Sequence, residues 1–231
     1  MSQSLVDAGL GRGVYGIADV AALTGIPRRR VRRWVRGYNF DSLEGKRHSA
    51  PIVVGLDYRR DDGVVQLSFR DVIEVRFVDA FLRHGVAWPE LRRAAQRASQ
   101  SLAVSHPFST MGFRTDGHHI FAQSVDQDGD RLLWRIRDNQ FVFERIIQPL
   151  LRDIEIRDSE IARWWPLGNR RRIVIDPQRN FGRPTAAVSG IPTFVLAAFA
   201  KRTSIREAAA WFEADAREVR DCLRFENRIA A

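Results

Sequence analysis

Six arginines, Arg28, Arg29, Arg30, Arg32, Arg33 and Arg36, fall within the ten positions 27–36, and no acidic residue stands among them. At about 100° per residue on a helix, Pro27, Val31, Trp34 and Val35 share one face. Arg29, Arg32, Arg33 and Arg36 share the other, with Arg28 and Arg30 flanking them. Such a helix fits the major groove of duplex DNA, where an arginine donates two hydrogen bonds to guanine O6 and N7. The remaining arginines would neutralise phosphates and fix register. A run of charge alone is usually a solvated face. Here it lies opposite an apolar stripe, on the second of two short helices, and that favours nucleic acid.

Other residues with chemical potential form no catalytic constellation. His118 and His119 adjoin Asp116 and Gly117, but adjacent side chains of a strand point to opposite faces and do not chelate one ion together. Asp126, Asp128 and Asp130 alternate around Gly129 like the start of a calcium loop. The bidentate glutamate expected about eleven residues after the first acid is missing, because Arg137 stands there. A hairpin turn is the better reading. Cys222 is the only cysteine, which rules out an intramolecular disulfide and argues against a thiolate zinc site. Beside Leu223 it reads as a small buried hydrophobe. No glycine-rich phosphate loop or nucleophile elbow is present. The expectation is a non-enzyme with no cofactor and no metal.

The chain has 231 residues and a net charge of +9, which favours a polyanionic partner. Lysine stands only at Lys46 and Lys201, so 35 of the 37 basic residues are arginine and their clustering matters more than their number. No apolar run approaches the roughly 18 to 20 residues that span a membrane. The N-terminus lacks the apolar core of a secretory signal, so a cytoplasmic location is expected.

Residues 14–37 read as two helices around Thr24-Gly25-Ile26, with Gly25 free to take the positive φ of the turn and Pro27 suited to a helix start. Residues 38–50 read as a polar connection. Residues 51–69 suggest a β-hairpin turning at Asp62-Gly63, with Arg59 and Arg60 near its tip. Ser68 and Asp71 make an N-cap pair for a helix running to about Arg83, and Pro89 opens the next. After residue 105, short strand-like runs alternate with Asp, Gly and Asn turns. Residues 171–231 form a further unit: a strand, a Gly- and Pro-rich loop, and helices. The expected organisation is α+β. Residues 1–105 would form a winged helix-turn-helix, 106–170 a β-rich middle segment, and 171–231 a small, mostly helical C-terminal domain.

Helix-turn-helix, wing and helical pair together resemble the MerR-type DNA-binding domain over about residues 14–102. The resemblance implies that Arg30, Arg32 and Arg33 occupy DNA-contacting positions and that the wing brings Arg59 and Arg60 to a phosphate backbone. The long dimerisation helix and the cysteine cluster of MerR metal sensors are both absent.

Asp176-Pro177, Gly182, Pro184 and Gly190-Ile191-Pro192 give the C-terminal unit its signature. This pattern resembles a small bacterial domain family, long catalogued as of unknown function, whose members often serve as antitoxins. With an N-terminal helix-turn-helix, the combination resembles antitoxins of the VapB type. The resemblance implies a PIN-like ribonuclease partner that cuts RNA with Mg²⁺, repression of the chain's own promoter, and a homodimer or a larger hetero-oligomer with the toxin. Arg170, Arg171 and Arg172, or Arg179 with Arg183, are candidates to enter the toxin's acidic site; each is also readable as ordinary solvated surface. The last helix, with Arg217, Glu218, Arg220, Asp221, Arg224 and Glu226, reads as mixed in charge, which favours a scaffold or protein-contact face over a DNA-reading one. Two other readings stand beside this one: a free-standing regulator that senses a small ligand, and an enzyme acting on nucleic acid.

Overall fold

The structure, a computed structural model, describes residues 13–42, 45–53, 65–110, 146, 149–157, 160–168 and 172–230. The strand-like runs at 118–125 and 131–136, His118, His119, the Asp126–Asp130 turn, Arg59 and Arg60 lie outside them. The described residues are α+β: seven α-helices with three two-stranded sheets. They divide into two compact units. The first comprises Tyr15–Leu151 with Ile156–Ile161, and the second comprises Met1–Val14, Arg152–Glu155 and Ala162–Ala231.

In the first unit, helix α1 (Ile17–Thr24) starts where Asp19 accepts from the Gly16 N–H at 2.7 Å. It stops at Gly25, whose φ of 70° lets its N–H reach the Ala21 carbonyl. Helix α2 (Arg28–Arg36) follows after Ile26 and Pro27. Val31, Trp34 and Val35 are buried as expected, whereas Pro27, assigned to the same stripe, is exposed. Helices α3 (Phe69–Arg83) and α4 (Trp88–Leu102) build the core behind them. Ser68 caps α3 through a reciprocal pair of bonds with Asp71. Phe69, Ile73, Phe77, Phe81 and Leu91 are completely or almost completely buried. Phe108, in a short 3₁₀ turn at Pro107–Ser109, packs its ring against Phe77 and Phe81.

The polar connection expected at 38–50 is in fact a hairpin. Strands β1 (Tyr38–Ser42) and β2 (Gly45–Ser49) pair antiparallel from Tyr38 opposite Ser49 to Ser42 opposite Gly45. Seven of the ten residues of the two strands are exposed and none is fully buried, so there is no apolar-in, polar-out alternation for a sequence reader to find. Such a ribbon is marginal alone, and its base is fastened. Trp88 Nε1 and Arg92 Nη2 both donate to Ser49 Oγ, at 3.3 and 3.0 Å, and Tyr38 lies against the Trp88 ring. Gly37 has φ 71°, and a Cβ there would collide with the Ser49 carbonyl. Gly37→Ala is therefore expected to detach the hairpin from α2, which amide-exchange protection across 38–49 would report.

Glu74 is buried on α3 and accepts from the Ser109 N–H at 2.8 Å. Removal from water, the largest influence, raises its pKa from 4.5 to about 8, against the lowering effect of the Ser109 bonds. The folded state therefore holds a proton that the unfolded chain has released above pH 4.5, so stability falls as pH rises from about 4.5 to 8 and then levels. Glu74→Gln is expected to flatten that part of a denaturant-midpoint profile against pH. An unchanged slope would count against the assignment.

In the second unit, strand β5 (Ile173–Val174) pairs with β6 (Thr185–Ala186), and Ile175 bridges Trp164, the last residue of β4 (Glu160–Trp164). Strand β3 (Ile154–Arg157) pairs with β4, and of this pair Ile154, Glu155 and Ala162–Trp164 fall in the second unit. Helices α5 (Thr193–Arg202), α6 (Ile205–Trp211) and α7 (Ala216–Ala230) complete the unit around Leu196, Ala197, Ala208, Val219 and Phe225. Cys222 lies buried among them; desolvation, reinforced by Glu218, Glu226 and Asp221, pushes its thiol up to about 12. It is expected to react with iodoacetamide only after unfolding, at a rate that mass spectrometry can follow.

Candidate nucleic-acid interface and the C-terminal loop

All six arginines of α2 are exposed, while the opposite face is buried. Three of them, Arg28, Arg29 and Arg30, occupy the first turn, where the helix dipole favours acids and opposes cations. The fold thus accepts a local cost to hold positive charge at this end. In a helix-turn-helix, the N-terminal residues of the second helix are the ones that reach base edges.

The arginines divide by their surroundings. Arg28, Arg29 and Arg32 have no ion-pair partner among the described residues. Arg30 lies 3.6 Å from Asp79 of α3, which also binds Arg83 at 2.6 Å. Burial raises the Asp79 pKa, opposed by the two guanidinium groups. Asp79 therefore anchors the underside of the arginine helix. The Arg33 guanidinium sits 3.7 Å from the centroid of the Tyr38 ring and so joins α2 to the hairpin.

The hairpin adds residues the sequence reading had passed over. Lys46, Arg47 and His48 are exposed on β2, immediately after the arginine helix in the chain. Their only sequence signal was the charge itself, since the segment lacks strand periodicity.

Among the C-terminal arginine candidates, Arg170 and Arg171 lie outside the described residues. Arg172 is half-buried and pairs with Asp221 at 3.3 Å. Arg179 and Arg183 are exposed, and Arg183 stands 5.6 Å from the centroid of the Phe194 ring. They flank the signature loop, whose framework is polar and mostly internal. Asp176 is buried, accepting from Arg163 Nε at 2.7 Å and from the Gln178 N–H at 2.9 Å. Asn180 donates through Nδ2 to Thr185 Oγ1 and to the Gly190 carbonyl. The Pro184 carbonyl accepts from the Thr193 N–H at 2.9 Å. Buried Glu218 accepts from Val188 N–H at 2.8 Å and from Ser189 N–H.

That framework carries unusual backbone. Asn180 and Phe181 are non-glycine residues at φ 48° and 56°, a conformation that costs about 1–3 kcal/mol each and is found disproportionately at binding sites. The same loop region leaves apolar side chains in water: Phe181 is 67% exposed, Val188 86% and Phe194 45%. Glu218→Ala would remove the acceptor of two part-buried N–H groups, an expected loss of about 1–3 kcal/mol in total that thermal denaturation would register.

The last helix differs from its reading as mixed in charge. Glu218 and Asp221 are buried, one bonded to the loop and the other to Arg172, and Glu226 is partly buried against Thr193. Arg217, Arg220, Arg224 and Arg228 are exposed. The acids face inward, so the outward charge is basic.

Among the described residues, no group of three or more His, Cys, Asp or Glu is placed to hold a metal ion, and no helix is long and apolar enough to cross a membrane.

Residues 8–51 match a family described as a helix-turn-helix domain. The crystal structure of Rv2018 from Mycobacterium tuberculosis is similar in fold, with a TM-score of 0.70 at 18% identity, covering 90% of this chain and 96% of that one. A protein of the same organism named "Putative antitoxin VapB45" is 24% identical over 193 residues, 77% of this chain and 78% of the relative. The chain thus carries an N-terminal helix-turn-helix domain and is similar, over about three quarters of its length, to a protein named as a VapB antitoxin.

Proposed function

We propose that the chain is the antitoxin of a toxin–antitoxin pair: it binds promoter DNA with its N-terminal unit and a PIN-like ribonuclease with its C-terminal unit. The observation that carries the reading is the exposed arginine face of α2, with three cations unpaired among the described residues, on the second helix of a helix-turn-helix. Arg28, Arg29 and Arg32 enter the major groove, and Arg36 lies on the same exposed face. Arg30 and Arg33 orient the helix through Asp79 and Tyr38. The β1–β2 hairpin serves as the wing of a MerR-like domain, with Lys46 and Arg47 toward phosphates. Arg59 and Arg60 belong to the same candidate DNA-contacting set.

On the toxin side, Phe181, Val188 and Phe194 supply the apolar contact, and Arg179 and Arg183 supply cations for an acidic site. A side chain that pairs with metal-binding carboxylates neutralises the nuclease by displacing Mg²⁺. Arg170 and Arg171 belong to the same candidate set. Arg172 is a structural residue, because it is engaged with Asp221. Repression of the chain's own promoter is part of the same proposal, with the promoter read by the N-terminal unit. The similarity to a protein named as a VapB antitoxin supports this reading.

The test is to express the gene with its immediate neighbours, tag this chain, and wash at high salt, which strips phosphate contacts. The expected result is a ribonuclease that stays bound and is inactive until released. A chain recovered alone, with neighbours that are not toxic, would overturn the antitoxin reading in favour of a ligand-sensing regulator.

A further inference from the structure

The geometry points to a second nucleic-acid contact in the C-terminal unit: Arg217, Arg220, Arg224 and Arg228 of α7 form a basic stripe that grips the phosphate backbone of duplex DNA. The four positions lie within an arc of about 80° at 100° per residue, and span about 16 Å along the helix axis. All four are exposed, and so is Asn227 beside them. Of the acids of the same helix, Glu218 and Glu226 lie off that arc, and Asp221, which borders it, is buried. Glu218 is occupied by the Val188 and Ser189 N–H groups, Asp221 by Arg172, and Glu226 by Thr193. Arg217, Arg220 and Arg224 have no ion-pair partner among the described residues, and Arg228 lies 5.0 Å from the centroid of the Phe225 ring.

An arginine row on a solvated helix is commonly interleaved with acids at i+3 or i+4, which neutralise it. Here the one acid at such a spacing, Asp221 at i+4 from Arg217, is buried and paired with Arg172, so the exposed charges of the helix are all cations. Duplex DNA carries one charge per about 1.7 Å of its axis, so a stripe of this length spans enough phosphates to engage all four arginines. Single-stranded nucleic acid is less well matched. It is held by aromatic stacking as well as charge, and the one aromatic residue of α7, Phe225, is buried. The stripe does not depend on the arginine helix α2 for its argument.

The experiment uses the full chain and a duplex of scrambled sequence, with affinity measured by fluorescence anisotropy across a salt series. Replacing Arg217, Arg220, Arg224 and Arg228 together with glutamine is expected to lower the magnitude of the log K against log salt slope by about 3.6. The equivalent lysine variant keeps the charges and is expected to retain the slope. A glutamine variant with the unaltered slope would overturn the proposal. So would equal loss in the lysine and glutamine variants, which signals a structural role, or a loss confined to single-stranded RNA or to the toxin partner.

Discussion

Replacing Arg28, Arg29 and Arg32 together with alanine is expected to lower affinity for the promoter duplex by at least about a hundredfold. Each good arginine contact to a base edge contributes about 1–3 kcal/mol, and three such contacts exceed the roughly 2.7 kcal/mol that corresponds to a hundredfold. The three side chains are exposed and make no ion pair among the described residues, so the fold has little to lose with them. Alanine also raises helix propensity slightly and removes cations from the unfavourable end of the helix dipole. The melting temperature of the variant should therefore equal or exceed that of the parent. Arg30 and Arg33 are different. Removing Arg30 frees Asp79 of one of its two guanidinium partners, and removing Arg33 uncovers Tyr38, so those substitutions mix binding with structure. Titration by anisotropy alongside a thermal melt separates the two classes.

The second large effect is expected at Trp34, which is 4% exposed on the face opposite those arginines. Its carbonyl also accepts from the N–H groups of Ile52 and Val53, so the chain returning from the hairpin is sewn to the end of α2 at this residue. Trp34→Ala removes a large buried ring and leaves a cavity, a change that typically costs about 3–5 kcal/mol. Small domains are stable by only about 5–15 kcal/mol, so much of the margin of the N-terminal unit would go. DNA binding should fail through loss of the α2 scaffold. The C-terminal unit has its own core around Leu196, Val219 and Phe225 and should keep its fold. Amide exchange on the variant checks this: protection should collapse in 17–36 and persist in 193–230.

What the sequence discloses follows from which physical patterns it writes plainly. The helix-turn-helix was legible because Gly25, Pro27 and the buried Val31, Trp34 and Val35 each leave a local mark. The Ser68–Asp71 cap and the helix to Arg83 were legible for the same reason. The hairpin at 38–49 was not, because its strands are exposed on both faces and its stability comes from Trp88 and Arg92, some 40 positions away. The α7 stripe was hidden differently. Glu218 and Asp221 read as surface acids until the loop N–H groups and Arg172 are seen to hold them inside. The strained turn at Asn180 and Phe181 carries no compositional mark, although the glycine that follows, at φ 77°, hinted at it.

The central claim is that the N-terminal unit reads the promoter and the C-terminal unit holds the toxin. A reciprocal pair of variants tests it most directly, in one assay that reads promoter binding and ribonuclease inhibition together. The alanine variant of Arg28, Arg29 and Arg32 should lose the promoter and still silence the nuclease. A Phe181→Ala, Arg179→Gln, Arg183→Gln variant should bind the promoter with unaltered affinity and fail to silence it. Either variant losing both activities while melting at the parental temperature, or neither losing its own, would contradict the account.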